Sequence, residues 1–257
     1  MRFHRIIPVL LYHDGAIVRS QQFARHFKIG DPYQQLKRYL DWDVDELVYL
    51  DIAPPAQVSK SLLSELPEIT DHCFAPMATG GNIHTLEDIE HHLESGADRV
   101  VLGSEAALNP AFVDEAAERF GSQAIIVSVD YRLDADNRRT VCYQNGRVSL
   151  PKDIIDWVSE LHQRGAGEVL LHAIDRDGVG GGYDLPVISE IAQKVSVPII
   201  ACGGASNYQH FVEAISHGAS AVAASNIFCF KELAYENVKE AMIGADQPVR
   251  PPHPEAF

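Results

Sequence analysis

Seven short, β-branched apolar runs, each separated from the next by an amphipathic stretch, limit what this chain can fold into more than any other feature. They are IIPVLL (6–11), ELVYLDI (46–52), RVVLG (99–103), AIIVSVD (124–130), EVLLHAID (168–175), VPIIACGG (197–204) and SAVAAS (220–225). A strand with one wet face alternates apolar with polar residues; these runs are apolar almost throughout, as in a parallel sheet covered on both faces. The stretches between them carry helical periodicity, at 31–40, 58–66, 85–95, 110–120, 152–164, 184–194, 208–217 and 231–242. Several open with helix-start chemistry: Asp31-Pro32, Asn109-Pro110, and Asp184 ahead of Leu185-Pro186. With a weaker strand at 73–79, eight βα units fit between residue 5 and about residue 242. That pattern predicts a single α/β domain over residues 1–245, a closed (β/α)₈ TIM barrel.

The chain also repeats itself at close to half its length. Gly80-Gly81 recurs as Gly203-Gly204, Glu46 ahead of an apolar run as Glu168, Gly96-Ala97 as Gly218-Ala219, and Ile6-Ile7 as Ile125-Ile126. The nearly constant separation points to two half-barrels of four units each, a period too long for a solenoid of short repeats.

Three segments depart from the rhythm. Residues 131–150 hold Asn145-Gly146 between alternating segments, a hairpin signal, and read as a ribbon inserted after the fifth strand. Residues 12–30 make a long first loop bearing His13, Arg19, Arg25, His26 and Lys28, and such loops in compact domains are often lids. Residues 246–257, rich in proline, read as a loose tail.

With 46 % of its 257 residues hydrophobic the chain can bury one large core, while 21 Lys+Arg against 36 Asp+Glu leave a formal charge of −15. Such a surface repels phosphodiester backbones and anionic bilayers, so neither nucleic acid nor membrane is expected as a partner. No apolar stretch approaches the roughly 20 residues of a membrane span, and the apolar run in MRFHRIIPVLL is too short for a secretory signal. Cys73, Cys142, Cys202 and Cys229 lie far apart, without a CxxC pair or zinc-type histidine spacing, and read as reduced residues of a cytoplasmic protein. Neither a metal nor a cofactor is expected.

In a barrel of this class the reactive groups come from strand C-termini and the loops after them. Asp51, Asp130, Asp175 and Asp177 stand there, where a carboxylate serves as general acid or base or, as often, as a loop anchor or helix cap. Thr79-Gly80-Gly81-Asn82 and Gly203-Gly204-Ala205-Ser206 each precede a helix. Glycine lets the backbone approach an anion, and helix-start N–H groups supply the field. Joined by Asp177-Gly178 and Ala224-Ser225 at neighbouring strand ends, these turns predict two phosphate wells and hence a substrate charged at both ends. At the opposite strand ends stand Arg5, Glu46, Arg99 and Glu168, which spacing alone reads as ordinary surface ion pairs.

The segments RIIP, DGAIVRS, GDP, DELVYLDI, GADRVVLGSEAALNP, ERFGSQAIIVSVD, GAGEVLLHAIDRDG, GYDL, VPIIACGGASN and AASNIF span the chain from near Arg5 to about Phe230. Together they resemble the cyclase (synthase) subunit of imidazole glycerol phosphate synthase. The resemblance implies a half-barrel duplication and a partner glutaminase subunit that releases ammonia at the bottom of the barrel, for attack on a two-phosphate substrate held at the top. It implies that Arg5, Glu46, Arg99 and Glu168 form an ammonia gate and that Asp98 faces the glutaminase. It also implies that Gly81, Asn82 and Ser104 hold one phosphate, and that Asp177, Gly178, Gly204 and Ser225 hold the other. Arg19 stands at the family's first-loop lysine and joins the substrate-binding set.

Departures from the family pattern cluster around the substrate, and at the bottom of the barrel the one substitution is Arg99 for a lysine. The family carries an aspartate pair on strands one and five; here the second is Asp130 and the first is Leu11, which cannot exchange protons. Asn82 replaces a turn glycine, Gly103 an asparagine, and His172 a small hydroxyl residue. PVLL at 8–11 resembles a paralogous branch linked to surface-polysaccharide clusters. That resemblance implies amination of a phosphorylated or nucleotide-linked sugar, acetamido to acetamidino, with ammonia from its own glutaminase. In this expectation Asp130 handles protons, Asp51 and His172 orient the acceptor, and Asp177 completes the catalytic set. The alternatives are the histidine-pathway cyclase itself, with Leu11 tolerated, and an inert barrel that only docks a glutaminase.

Overall fold

The computed structural model describes residues 3–54, 59–136, 138–230 and 233–251. In its first half the chain runs through β1 (Arg5–His13), β2 (Ala16–Gln21), β3 (Arg25–Gly30), α1 (Pro32–Asp41), β4 (Leu47–Asp51), α2 (Leu62–Thr70), β5 (Met77–Gly80), α3 (Leu86–Glu94), β6 (Arg99–Leu102), α4 (Ser104–Leu108) and α5 (Ala111–Phe120). The second half adds β7 (Ile125–Leu133), β8 (Arg139–Tyr143), β9 (Val148–Ser149), α6 (Ile154–Gln163), β10 (Glu168–Ala173), α7 (Leu185–Lys194), β11 (Ile199–Cys202), α8 (Tyr208–Ser216), β12 (Ala221–Ala224), α9 (Asn226–Phe230) and α10 (Ala234–Gly244). β1, β4, β5, β6, β7, β10, β11 and β12 pair in parallel in that order, and β12 returns to β1. The sheet closes, with helices between successive strands: a single (β/α)₈ TIM barrel.

The pleat explains why the strands read as apolar throughout. Ile7, Val9 and Leu11 of β1 face the barrel interior with Val48, Val101, Ile126, Leu170, Ile200 and Ala221. Their neighbours Ile6, Leu10 and Tyr12 belong to the outer layer, where Leu36, Ile89, Val113, Val158, Ile191 and Phe211 of the helices pack. Both faces of every barrel strand are therefore dry.

Side-chain caps fix several helix starts. Asp31 accepts from the N–H groups of Tyr33 and Gln34, Asp153 from Ile155 and Asp156, and Thr85 with Asp88 makes a reciprocal capping box. The helix expected over 58–66 instead starts at Leu62, because Ser61 caps it through Ser64 N–H. Asn109-Pro110 precedes α5 without a side-chain cap. Asp184, expected to cap α7, is drawn away by stronger partners: its carboxylate accepts from Arg139 at 3.0 and 3.1 Å and from the Tyr131 hydroxyl at 3.3 Å.

The first loop is not a loop. β1 runs on to His13, turns through Asp14 and Gly15, both at positive φ (45° and 77°), and returns as β2, which pairs in turn with β3. Asp14-Gly15 between apolar runs is itself a hairpin signal, masked by the polar residues that follow. After the fifth barrel strand, β7 extends to Leu133 and pairs with β8, which pairs with β9. The tail, expected to be loose, is docked over its described residues. Val249 bridges to His4, and Arg250 donates to Asp43 at 2.6 Å and to Asp45 at 3.0 Å. The fully buried Lys239 donates to Asp45 and to the Arg250 carbonyl, each at 2.8 Å. Residues 252–257 of that tail lie outside the described set. No helix among the described residues is long and apolar enough to cross a membrane.

Candidate active site

Pleat parity puts Arg5, Glu46, Arg99 and Glu168 on the same inward face as Ile7, Val48, Val101 and Leu170, at the N-terminal ends of their strands. Arg5 donates to Glu46 at 2.5 Å and to the two oxygens of Glu168 at 2.8 and 2.7 Å. Arg99 donates to Glu46 at 3.1 Å and to Glu168 at 3.2 Å. The four make an alternating ring across the barrel axis, with Glu46 only 2 % and Glu168 6 % exposed, which overturns the reading of loose surface pairs. Burial outweighs the two arginines at Glu46 and raises its pKa. At Arg5 burial opposes the charge, and Glu46 and Glu168 more than offset it. Such a set stands or falls together, since removing one member leaves two like charges sharing a single buried partner. Asp98 lies exposed beside the ring, one oxygen accepting from Met77 N–H at 2.8 Å.

At the other end the inward wall becomes polar. Asp130, His172 and Cys202 are register partners on β7, β10 and β11. Two hollows open there. The larger, about 340 Å³, is lined by Asp51, Gly81, Asn82, Ser104, Ser128, Asp130, Asn145 and Arg147 among others, and is of a size to take a small molecule. The smaller, about 20 Å³, is lined by Leu11, His172, Asp177, Gly178, Gly203, Gly204 and Ser225 among others. The two glycine turns are conformational equivalents. Gly81 (φ +95°) and Gly204 (φ +105°) each sit where a Cβ would fall 1.9 Å from the Asp51 carbonyl and 2.1 Å from the Gly182 carbonyl respectively. Only glycine permits either approach.

Phe23 separates the hollows. It stands in the turn between β2 and β3 at φ +57°, lines the larger hollow, and packs edge-on against His172 with ring centroids 4.8 Å apart. The hairpin that carries it is tied down by Gln22, whose backbone N–H donates to the Asp177 carbonyl at 3.0 Å and whose side chain donates to the Asp175 carbonyl at 2.9 Å. Asn226 adds a bond to the Ser20 carbonyl at 3.0 Å. The two carboxylates flanking His172 are driven in opposite directions. Burial raises Asp130, although His172 and a 2.8 Å bond from Ser128 oppose it. Burial would raise Asp177 as well, but there His172, 3.9 Å away, prevails and holds it low. Divergent carboxylates around one imidazole are what proton-transfer chemistry requires.

Gly81, Asn82 and Ser104 thus meet at one hollow, and Asp177, Gly178, Gly204 and Ser225 at the other, as expected in sequence. Asp51 differs. It falls on the opposite pleat parity from Val48 and Leu50, and its two oxygens accept from Ala53 N–H at 3.1 Å and Leu62 N–H at 2.9 Å. It therefore anchors the turn into α2 rather than orienting an acceptor. Asp175 likewise accepts from Leu133 N–H at 2.6 Å and pins the ribbon. Arg19 lines neither hollow; its guanidinium lies over Phe27 at 4.3 Å and near Phe230 at 5.2 Å, because β2 turns it outward. Sequence reasoning missed Ser128, which sits two residues before Asp130 on the same face and could have been found by parity. It also missed Phe23, Asn145 and Arg147, which the two hairpins bring to the larger hollow from outside the barrel strands.

Residues 5–234 match the family model described as "Histidine biosynthesis protein". An imidazole glycerol phosphate synthase subunit HisF from Streptococcus sanguinis is 38 % identical over 247 residues, covering 96 % of this chain and 98 % of that protein. The protein of the same name from Helicobacter hepaticus is 39 % identical over 246 residues, with coverage of 96 % and 98 %. That from Gluconacetobacter diazotrophicus is 37 % identical over 252 residues, with coverage of 97 % and 98 %. With a closed barrel, an axial ring of paired charges and a carboxylate-lined mouth, and with similarity running nearly end to end, this chain belongs to the histidine biosynthesis protein family.

Proposed function

We propose that the chain is the synthase subunit of a two-component enzyme, receiving ammonia from a glutaminase subunit and carrying out the imidazole glycerol phosphate synthase reaction for which its relatives are named. One observation carries the reading. Glu168 of the Arg5–Glu46–Arg99–Glu168 ring and His172 end the same inward-facing column of β10, at opposite ends of the barrel, and Asp130 is the register partner of His172 on neighbouring β7. A nitrogen source docked beneath would have a straight route to an acceptor above, with Asp98 beside the entrance. In this reading Gly81, Asn82 and Ser104 bind one anionic end of the acceptor, Gly178, Gly204 and Ser225 bind the other, and Asp130 exchanges protons. The test is direct: purified protein with ammonium salt should turn over the histidine-pathway bisphosphate intermediate, and an added glutaminase subunit should make glutamine an equivalent nitrogen source. Absence of product at any ammonium concentration refutes it.

Sugar amidation, expected above from PVLL, finds no support in the names of the relatives. Leu11 is the observation that keeps it as a second reading: an apolar side chain lines the small hollow beside His172 where a proton donor would serve ring closure. Under it the bisphosphate yields nothing, an acetamido sugar phosphate becomes the acceptor, and Leu11→Asp restores the cyclase reaction.

A further inference from the structure

Between the two hollows the barrel wall turns from apolar to ionisable across three adjacent strands, and His172 stands at the centre of the change. Asp130 and Cys202 flank it as register partners, and Asp177 on the following turn comes within 3.9 Å of its Nε2, an ion-pair separation rather than a hydrogen bond. The side chain is 6 % exposed. Its Nε2 makes no hydrogen bond among the described residues, and the same holds for Oδ2 of Asp177. A buried imidazole nitrogen without a hydrogen bond, at the edge of a hollow, is a proton-exchanging group that the fold itself leaves unclaimed. Phe23 fixes the ring by packing edge-on against it, and Leu11 offers no competing proton carrier in the same hollow.

We propose that His172 is a catalytic residue of the amination step, carrying protons between the attacking nitrogen and the departing oxygen, with Asp130 and Asp177 as its flanking carboxylates. The assignment rests on the ammonia-using reading above. The imidazolium gives its Nε2 proton to a carbonyl oxygen of the acceptor while the lone pair of ammonia forms the C–N bond. The neutral ring then takes a proton from the new ammonium group and returns it to the hydroxyl, the C–O bond breaks, and water leaves. Loss of the iminium proton to the ring completes a C=N bond and restores the imidazolium. No electrons are exchanged and no further reactant is consumed. The ionisable groups that face the ring are Asp130 on β7, Cys202 on β11 and Asp177 on the turn after β10. Burial disfavours the charged ring, and Cys202 and Asp177 outweigh burial, placing His172 above the ordinary histidine range.

The experiment measures ammonium-driven turnover of the bisphosphate, or of the acetamido sugar phosphate if that is the acceptor used, across pH for wild type and His172→Gln. The expected result is a kcat lower by about 100-fold or more with KM little changed, and loss of the basic limb of the pH profile. Nitrogen-15 NMR of the wild-type imidazoles supplies a readout independent of the variant's folding: the His172 ring should titrate above the ordinary range, and Asp177→Asn should bring it down. His172→Gln keeping wild-type kcat and pH profile, or a ring that does not titrate between pH 5 and 9, overturns the assignment alone. A wild-type protein idle on both acceptors removes the ammonia-using reading, and this assignment with it.

Discussion

The two ends of the barrel are built from the same strands and solve opposite problems. At the bottom, four charges pair with one another: each arginine reaches both glutamates, and each glutamate both arginines. At the top, Asp177 Oδ2 and His172 Nε2 make no hydrogen bond, and the larger of the two hollows beside them is of a size to take a small molecule. A closed circuit of charge resists substitution at any member, because one loss leaves two like charges competing for one partner. An open set tolerates replacement, since each group answers to the ligand rather than to its neighbours.

Four measurements break or sharpen the contrast. Asp130→Asn should reduce ammonium-driven turnover by about 1000-fold while leaving the thermal midpoint at or above that of wild type. A midpoint that collapses instead would make Asp130 a structural residue. Glu46→Ala should do the reverse, destabilising the fold by about 3 kcal/mol in denaturant titration; a cost near zero would show that the ring is not a closed set. Next comes a pH effect of opposite sign at the two flanking carboxylates. Asp177, held low, contributes stability that is present above about pH 4 and lost as pH falls through its folded pKa. Asp130, held high, contributes stability that is complete below about pH 4 and lost as pH rises through its folded pKa. Relative to wild type, Asp130→Asn should therefore gain stability as pH rises above about 4, whereas Asp177→Asn should be the less stable above about pH 4, its deficit closing as pH falls further. Smallest of all, Phe23→Ala should change stability by about 0.5 kcal/mol or less yet alter KM, because the divider between the hollows is gone.

Much of this was legible in the residues because a barrel strand obeys one strong rule. The all-apolar runs gave seven of the eight barrel strands and a weaker stretch at 73–79 the eighth, and the recurrence of Gly81 as Gly204 placed the two turns in corresponding positions of the halves. Parity was the rule left unused at the sites: applied to 46–51, it separates Glu46 on the axis from Asp51 on the helix side, where the carboxylate anchors a loop. Electrostatic reasoning from spacing failed at the ring, because the four members come from strands that only closure brings together. Asp14-Gly15 carried a hairpin signal that polar composition obscured, and with the hairpin went Phe23 and the outward turn of Arg19. Asp184 shows a further limit: a good capping residue was claimed by Arg139, a tertiary partner that no local window contains.

The ring at the bottom also restricts how this chain can change over time. Arg5, Glu46, Arg99 and Glu168 reach the axis only because each keeps its odd or even phase with the apolar residues beyond it. Gaining or losing one residue inside β1, β6 or β10 would swing that strand's charge outward among the helices and turn its rim group away from the mouth. Single-letter replacements at the rim leave this phase untouched.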